Sequence, residues 1–188
     1  ITADQLIEKY VFAVTKTTSM KAAKKKLGKI KSLKKEMEFR AQQMPGTIKI
    51  TDFFQAPNSD ASNFEMMGMV VQHTYYNGKT GGSKSMQGGN DTLSAEELEA
   101  KKKSIGLVPE MNYKTTGMTY ELKGIENQNG TDYYVLLTTD GQKQQYDYYD
   151  VNTFMKAKTT TIETEDGQTM EQTMSYSDYK EVNGVIDR

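Results

Sequence analysis

Cysteine is absent from this 188-residue chain, and disulfide frameworks, Cys-ligated zinc, iron–sulfur clusters and thiol catalysis go with it. Histidine occurs once, at His73, which excludes two-histidine zinc motifs and any histidine cluster. No apolar run approaches the roughly 20 residues that span a bilayer, and the mean hydropathy is −0.74. An excess of one charge sign is missing as well. The 24 basic and 25 acidic residues leave a net charge of −1, and that total gives no electrostatic reason to expect nucleic acid or an anionic membrane as partner. What remains is the profile of a globular domain, since chains of this length fall within the roughly 50 to 250 residues of single domains and bury a core without staples.

The first thirty residues read as helix. Thr2 and Gln5 have capping-box spacing, and Leu6, Tyr10 and Val14 then recur every fourth residue on one face. A short second helix follows from Ser19, with Ala22, Ala23 and Leu27 as a thin apolar stripe and Gly28 as its stop. Its lysines Lys24, Lys25 and Lys26 read as a solvated face near the favourable end of the helix dipole. A third helix is expected at Ala95. Ser94 and Glu97 form a capping box, Leu93 and Leu98 flank it, and Gly106 and Pro109 end it.

Elsewhere the apolar period is two. Leu33, Met37, Phe39 and Ala41 alternate with charged residues, as do Ile48, Ile50 and Phe54, then Met118, Tyr120 and Leu122, and finally Met170, Met174 and Tyr176. The turn dipeptides Asn77-Gly78, Asn129-Gly130, Asp140-Gly141, Asp166-Gly167 and Asn183-Gly184 punctuate these runs. Together they predict an antiparallel meander with strands near 30–42, 47–56, 62–76, 79–86, 117–127, 131–139, 142–151, 154–165 and 168–180. The twelve tyrosines suit half-buried pleated surfaces. The fold class is α+β, mainly β, and one domain spans 1–188. The glycine-rich stretch Gly81 to Gly89 with the third helix reads as a surface excursion or a lid.

Chemistry is sparse. His73 sits inside a predicted strand with no nucleophile-elbow serine to pair with it, so it reads as an ordinary hydrogen-bonded residue. Glu36 with Glu38, and Glu163 with Glu165, lie two apart on strand faces and read as solvated pairs. Asp140-Gly141 and Asp166-Gly167 lack the ligand spacing of calcium loops, and no glycine-rich phosphate loop opens a helix. No cofactor and no metal is expected. Methionine is abundant instead, twelve residues, with several on apolar strand faces at Met37, Met69, Met118, Met170 and Met174. Met fills cores, and it also lines surfaces that adapt to variable apolar partners. A curved antiparallel sheet with few helices has an apolar face to cover: either the helices fill it, or they leave a cleft for an apolar ligand or a partner segment.

Several stretches resemble a known family. The two opening helices ending in Leu27-Gly28, Ile30-Lys-Ser-Leu33 leading into a strand, the Gln55-Ala-Pro-Asn58 turn and Tyr75-Tyr-Asn-Gly-Lys79 resemble lipoprotein-localization-factor-like (LolA/LolB-like) domains. Met69-Val-Val71, Met86 to Asn90, the capped helix at Leu93 to Leu98, Tyr148-Tyr-Asp-Val151 and Tyr176 to Gly184 are similar to outer-membrane lipoprotein-sorting domains and to C-terminal domains associated with insulinase-like zinc proteases. The His-x-x-Glu-His of those proteases is absent, so none of their activity carries over. No Trp follows Asn77-Gly78, and the chain ends at Arg188 where relatives continue with further strands.

The resemblance implies an unclosed half-barrel, a strongly curved antiparallel sheet around two or three short helices, whose apolar concavity receives acyl chains without catalysis. On that expectation the concave face carries Met37, Phe39, Ile48, Ile50, Phe54, Met69, Val71, Tyr120, Leu122, Val135, Leu137, Met170 and Met174. The implied function is a non-enzymatic module in the periplasm or at the outer membrane that binds a lipid-like or apolar ligand, in lipoprotein or envelope handling. The partner is that ligand or an envelope protein, with no nucleic acid and no transmembrane segment. The alternative is an accessory domain with a filled core, for example an extension of a zinc-protease-like protein. The absence of cysteine and the sequons Asn90-Asp-Thr92 and Asn129-Gly-Thr131 suit an extracytoplasmic setting.

Overall fold

The capping signals at the start of the chain produce the helix they announce. In the computed structural model, which describes residues 1–39, 47–141, 143–165 and 168–187, α1 runs over Ala3–Thr15. Thr2 Oγ1 accepts from the Gln5 N–H at 3.2 Å while Gln5 Oε1 accepts from the Thr2 N–H at 2.9 Å. Leu6, Tyr10 and Val14 are all buried, as the four-residue period requires. α2 covers Met20–Leu27, with Ser19 Oγ accepting from the Ala22 N–H at 3.2 Å. α3 covers Ala95–Ser104 with the Ser94–Glu97 box closed in both directions, and a 3₁₀ helix spans Pro109–Thr115.

The strands form two main antiparallel sheets, and the chain divides into two compact units, Ile1–Leu27 with Glu110–Arg188, and Gly28–Pro109. In the second unit β1 (Ser32–Phe39), β2 (Ile48–Gln55), β3 (Ser59–Met66), β4 (Met69–Tyr76), β5 (Gly81–Ser85) and β6 (Asn90–Thr92) pair in sequence order. In the first unit β7 (Thr119–Gln128), β8 (Thr131–Asp140), β9 (Lys143–Asp150), β10 (Lys156–Glu165) and β11 (Gln168–Ser175) do the same, and β12 (Lys180–Val182) pairs with β13 (Val185–Asp187) in a separate ribbon. The class is α+β, mainly β, and among the described residues no pairing closes either main sheet.

Three expectations are corrected. The predicted strand 62–76 is a hairpin: Met66 faces Met69 across a two-residue turn in which Met67 (φ 51°) and Gly68 (φ 78°) are both left-handed. A Met ahead of glycine carries no turn signal, so the alternation reads through it. The same double left-handed geometry appears at the foreseen turns Asn129-Gly130 and Asn183-Gly184. The predicted strand 168–180 stops at Ser175, because Lys180–Val182 pairs with Val185–Asp187 in place of continuing. The glycine-rich stretch is mostly β5 and the turn to β6. Gly82 is required there, since a Cβ at that position lies 2.3 Å from the Asp91 carbonyl oxygen. The expected position Ala41 and the turn Asp166-Gly167 lie outside the described residues.

Candidate functional site

Register decides which of the expected apolar residues share a surface, because directly paired residues of antiparallel strands project from the same face. In the six-stranded sheet Met37 pairs with Ile50 and Ile50 with Phe64. Leu33 pairs with Phe54 and Phe54 with Asp60, and Phe39 pairs with Ile48 and Ile48 with Met66. Met37, Ile48, Ile50 and Phe54 therefore lie on one face with Leu33, Phe64 and Met66, and all seven side chains are half-buried. Phe39 holds a position in the same set, and its side chain lies outside the described residues. Met69 sits opposite Met66 at the far end and is 54% exposed, and Val71 falls at the register shift between the Phe64–Gln72 and Glu65–Val70 pairs.

Polar groups interrupt this face at Asp60 in the Leu33–Phe54 row and across the row Lys35, Asp52 and Ser62, where the Ser62 hydroxyl donates to Asp52 Oδ1 at 2.6 Å. At the Phe54 end Asp60 accepts Lys101 of α3 at 2.7 Å, an ion pair held beside apolar neighbours. A pocket of about 380 Å³ lies here, lined by three consecutive cross-strand rows: Ser32, Gln55 and Ser59; Leu33, Phe54 and Asp60; and Lys34, Phe53 and Ala61. That volume is near the lower end of small-molecule sites.

The five-stranded sheet is built differently. Leu122 pairs with Leu136 and Leu136 with Asp147, so the face of Tyr120 and Leu122 also carries Leu136, Tyr149, Asp147, Lys156, Met170 and Met174. Val135 and Leu137 pair with Tyr148 and Tyr146 and project from the opposite face. An unbroken apolar run hides which residues point which way, and only the pairing resolves it. α1 packs on the first of these faces. Tyr10 meets Tyr149 edge-on with ring centroids 5.3 Å apart, and Leu136 and Tyr149 are completely enclosed. Met170 (58% exposed) and Met174 (44%) stand on the edge strand β11 beyond that packing.

Sequence reasoning did not find the buried charges of this unit. Lys156 Nζ contacts Glu110 Oε1 at 2.8 Å and Asp147 Oδ2 at 3.2 Å, and it lies over the rings of Tyr10 and Tyr149. Burial pulls the Lys156 ammonium down, but Tyr149, Glu110 and Asp147 outweigh it and hold the group well above the ordinary lysine value. Burial likewise pushes the Tyr149 hydroxyl well up, and that hydroxyl has no hydrogen-bond partner among the described residues. Asp147 Oδ1 also accepts from the Thr159 hydroxyl at 2.5 Å. The arrangement is closed to substrate, with Lys156 and Asp147 side chains 5% and 4% exposed, and it ties the 3₁₀ helix to the sheet. A lysine and an aspartate on paired strands carry no sequence signal of such a contact.

His73 is hydrogen-bonded to Asn63 Oδ1 at 2.6 Å and stacks on Tyr75. Glu36 is an exposed carboxylate whose pKa is lowered by Lys34, 2.8 Å away. Among the described residues no three His, Asp or Glu side chains converge as a metal-ligand set, and no helix is long and apolar enough to cross a membrane. Methionine is the residue type whose placement stands out. None of the eleven described methionines is buried, and Met67 and Met86 are 81% and 61% exposed.

Comparison with solved structures places this architecture beside known ones. A LolA superfamily protein from Nitrosomonas europaea is 14% identical, with a TM-score of 0.56 over 97% of this chain and 80% of that one. A DUF1329 family protein from Desulfovibrio piger is 12% identical, with a TM-score of 0.55 over 94% and 82%. No protein-family model matches the sequence, and no curated protein does. The fold of the chain is LolA-like.

Proposed function

We propose that this chain is a non-enzymatic, extracytoplasmic module that binds a lipid-like or otherwise apolar ligand, and that the ligand lies on the six-stranded sheet. The observation that carries this reading is the face of Met37, Ile48, Ile50 and Phe54 with Leu33, Phe64 and Met66, which is apolar and only half-buried. The Asp60–Lys101 pair gives the Phe54 end of this face a polar anchor. Half-buried apolar side chains gathered on one sheet face, on both sides of the Lys35–Asp52–Ser62 row, suit a binding site. That no methionine among the described residues is buried supports it, since flexible thioether side chains at a surface repack around variable apolar shapes. The LolA-like fold supports a role in lipoprotein or envelope handling, in the periplasm or at the outer membrane, as one domain over 1–188. Phe39, Met69 and Val71 belong to the same surface in this reading, and Tyr120, Leu122, Met170 and Met174 to a secondary one.

A second reading has its own observation. On the five-stranded sheet Tyr10 of α1 packs on Tyr149, and Leu136 and Tyr149 are enclosed, which is the behaviour of an accessory domain with a solid core that works through its outer surface. Mass spectrometry of organic extracts from natively purified protein separates the two. Stoichiometric co-purified lipid supports the ligand-binding module. Lipid-free extracts together with no uptake of added fatty acid support the accessory domain.

A further inference from the structure

The net charge of −1 conceals a segregation. The 27 residues from Lys9 to Lys35 hold ten lysines and no Asp or Glu, so the rest of the chain, with fourteen basic and twenty-five acidic residues, carries −11. α2 is the centre of the basic stretch. Its Ala23 is fully buried, and helical geometry puts Lys21, Lys24 and Lys25 within about 100° of one another on the side away from it. All three are exposed, and none has an ion-pair or hydrogen-bond partner among the described residues. The nearby basic side chains are committed elsewhere: Lys16 pairs with Glu181 at 2.8 Å, and Lys26 Nζ donates to the Thr15 carbonyl at 2.7 Å. Lys29, also exposed, follows two residues past the helix end.

The helix dipole does not account for this face. It favours cations in the last turn, where Lys24 and Lys25 lie, but disfavours Lys21 in the first, and α2 has no acidic residue in its first turn to offset it. A cluster of unpaired like charges costs repulsion, and an external anion removes that cost. The residue types select among anions. There is no arginine in the basic stretch, hence no fork for bidentate phosphate or base recognition. The lysine face carries no aromatic for base stacking or for a packed protein hot spot. Compact charges on flexible stems on one face of a helix suit the diffuse negative potential of lipid headgroups.

We propose that the Lys21, Lys24 and Lys25 face of α2 docks this chain onto an anionic phospholipid surface. The acidic remainder is repelled by the same surface, so attraction is concentrated in the basic stretch around α2. This goes beyond ligand binding on the six-stranded sheet and stands whether or not that sheet carries lipid.

The test is flotation of the full chain with phosphatidylcholine vesicles that contain or lack phosphatidylglycerol. The protein is expected to float only with phosphatidylglycerol and to be released by salt. The triple variant K21Q/K24Q/K25Q is expected to bind about a hundredfold more weakly, each lysine near an anionic surface contributing about fivefold. The charge-matched variant K79Q/K84Q/K143Q, altered at exposed lysines elsewhere, keeps its binding. Failure of the wild type to float at low salt overturns the proposal, as does equal loss in the charge-matched variant. Capture on polyglutamate without flotation reassigns the face to an acidic protein partner. Uptake of a fluorescent fatty acid, measured on the same samples, stays intact in the triple variant, which keeps this test apart from that of the apolar site.

Discussion

Lys156 and Asp147 meet inside the unit that carries α1, with Nζ and Oδ2 3.2 Å apart and both side chains almost wholly enclosed. Glu110 completes the group from the 3₁₀ helix, so one cation joins two strands and a helix. Removing one partner of a buried pair leaves the other charge stranded without water. K156M is expected to cost about 3 to 5 kcal/mol in chemical denaturation, with much of the loss recovered in K156M/D147N.

Tyr149 presents the opposite case, an enclosed hydroxyl with no partner among the described residues. Y149F is expected to be neutral or stabilising by about 1 kcal/mol, because the desolvation cost of the hydroxyl disappears while the ring contact with Tyr10 remains. A clear destabilisation would reveal a bond to this hydroxyl that the structure lacks.

The same two groups govern alkaline behaviour. Tyr149 and Lys156 both hold their protons more tightly in the folded chain. The folded state therefore binds more protons than the unfolded state once pH passes the unfolded values of about 10 to 10.4. Their stabilising contribution is complete below that range and is lost as pH rises through it toward the folded values. Thermal unfolding midpoints are expected to be flat from neutrality to about pH 9.5 and to fall above it, with a shallower fall in Y149F.

Gly82 and Gly89 make a matched pair in the β5–β6 hairpin. A Cβ at Gly82 meets the Asp91 carbonyl at 2.3 Å, whereas one at Gly89 meets only the Asp91 side chain at 3.9 Å. G82A is expected to lower stability by about 1 to 3 kcal/mol through forced backbone displacement, and G89A to leave it nearly unchanged. Equal unfolding midpoints for the two variants would refute the close approach.

Local chemistry made the helices legible. Thr2 with Gln5 and Ser94 with Glu97 announce their caps in adjacent residues, and both boxes are closed in the structure. Asn129-Gly130 and Asn183-Gly184 did the same for their turns, because asparagine and glycine tolerate positive φ. Met67-Gly68 escaped because its partner residues, not its own type, enforce the turn. In the six-stranded sheet clean alternation placed Met37, Ile48, Ile50 and Phe54 on one face before any pairing was known. In the five-stranded sheet the run from Tyr133 to Leu137 is apolar on both sides, so only the register separated Val135 and Leu137 from Leu122. The Lys156 cluster joins residues 46 positions apart in sequence, and its members look like ordinary surface charges until the fold encloses them.

Uptake of an environment-sensitive fatty-acid probe tests the central claim most directly, measured on the wild type, on I50D and F54S, and on T169D at an exposed strand position. Circular dichroism on each sample confirms that it is folded. The expected result is saturable binding by wild type and T169D, weakened about tenfold or more in I50D and F54S, a loss of about 1.4 kcal/mol or more. Absence of saturable binding by the wild type, or equal binding by all four proteins, would contradict a ligand on the Met37–Ile50–Phe54 face.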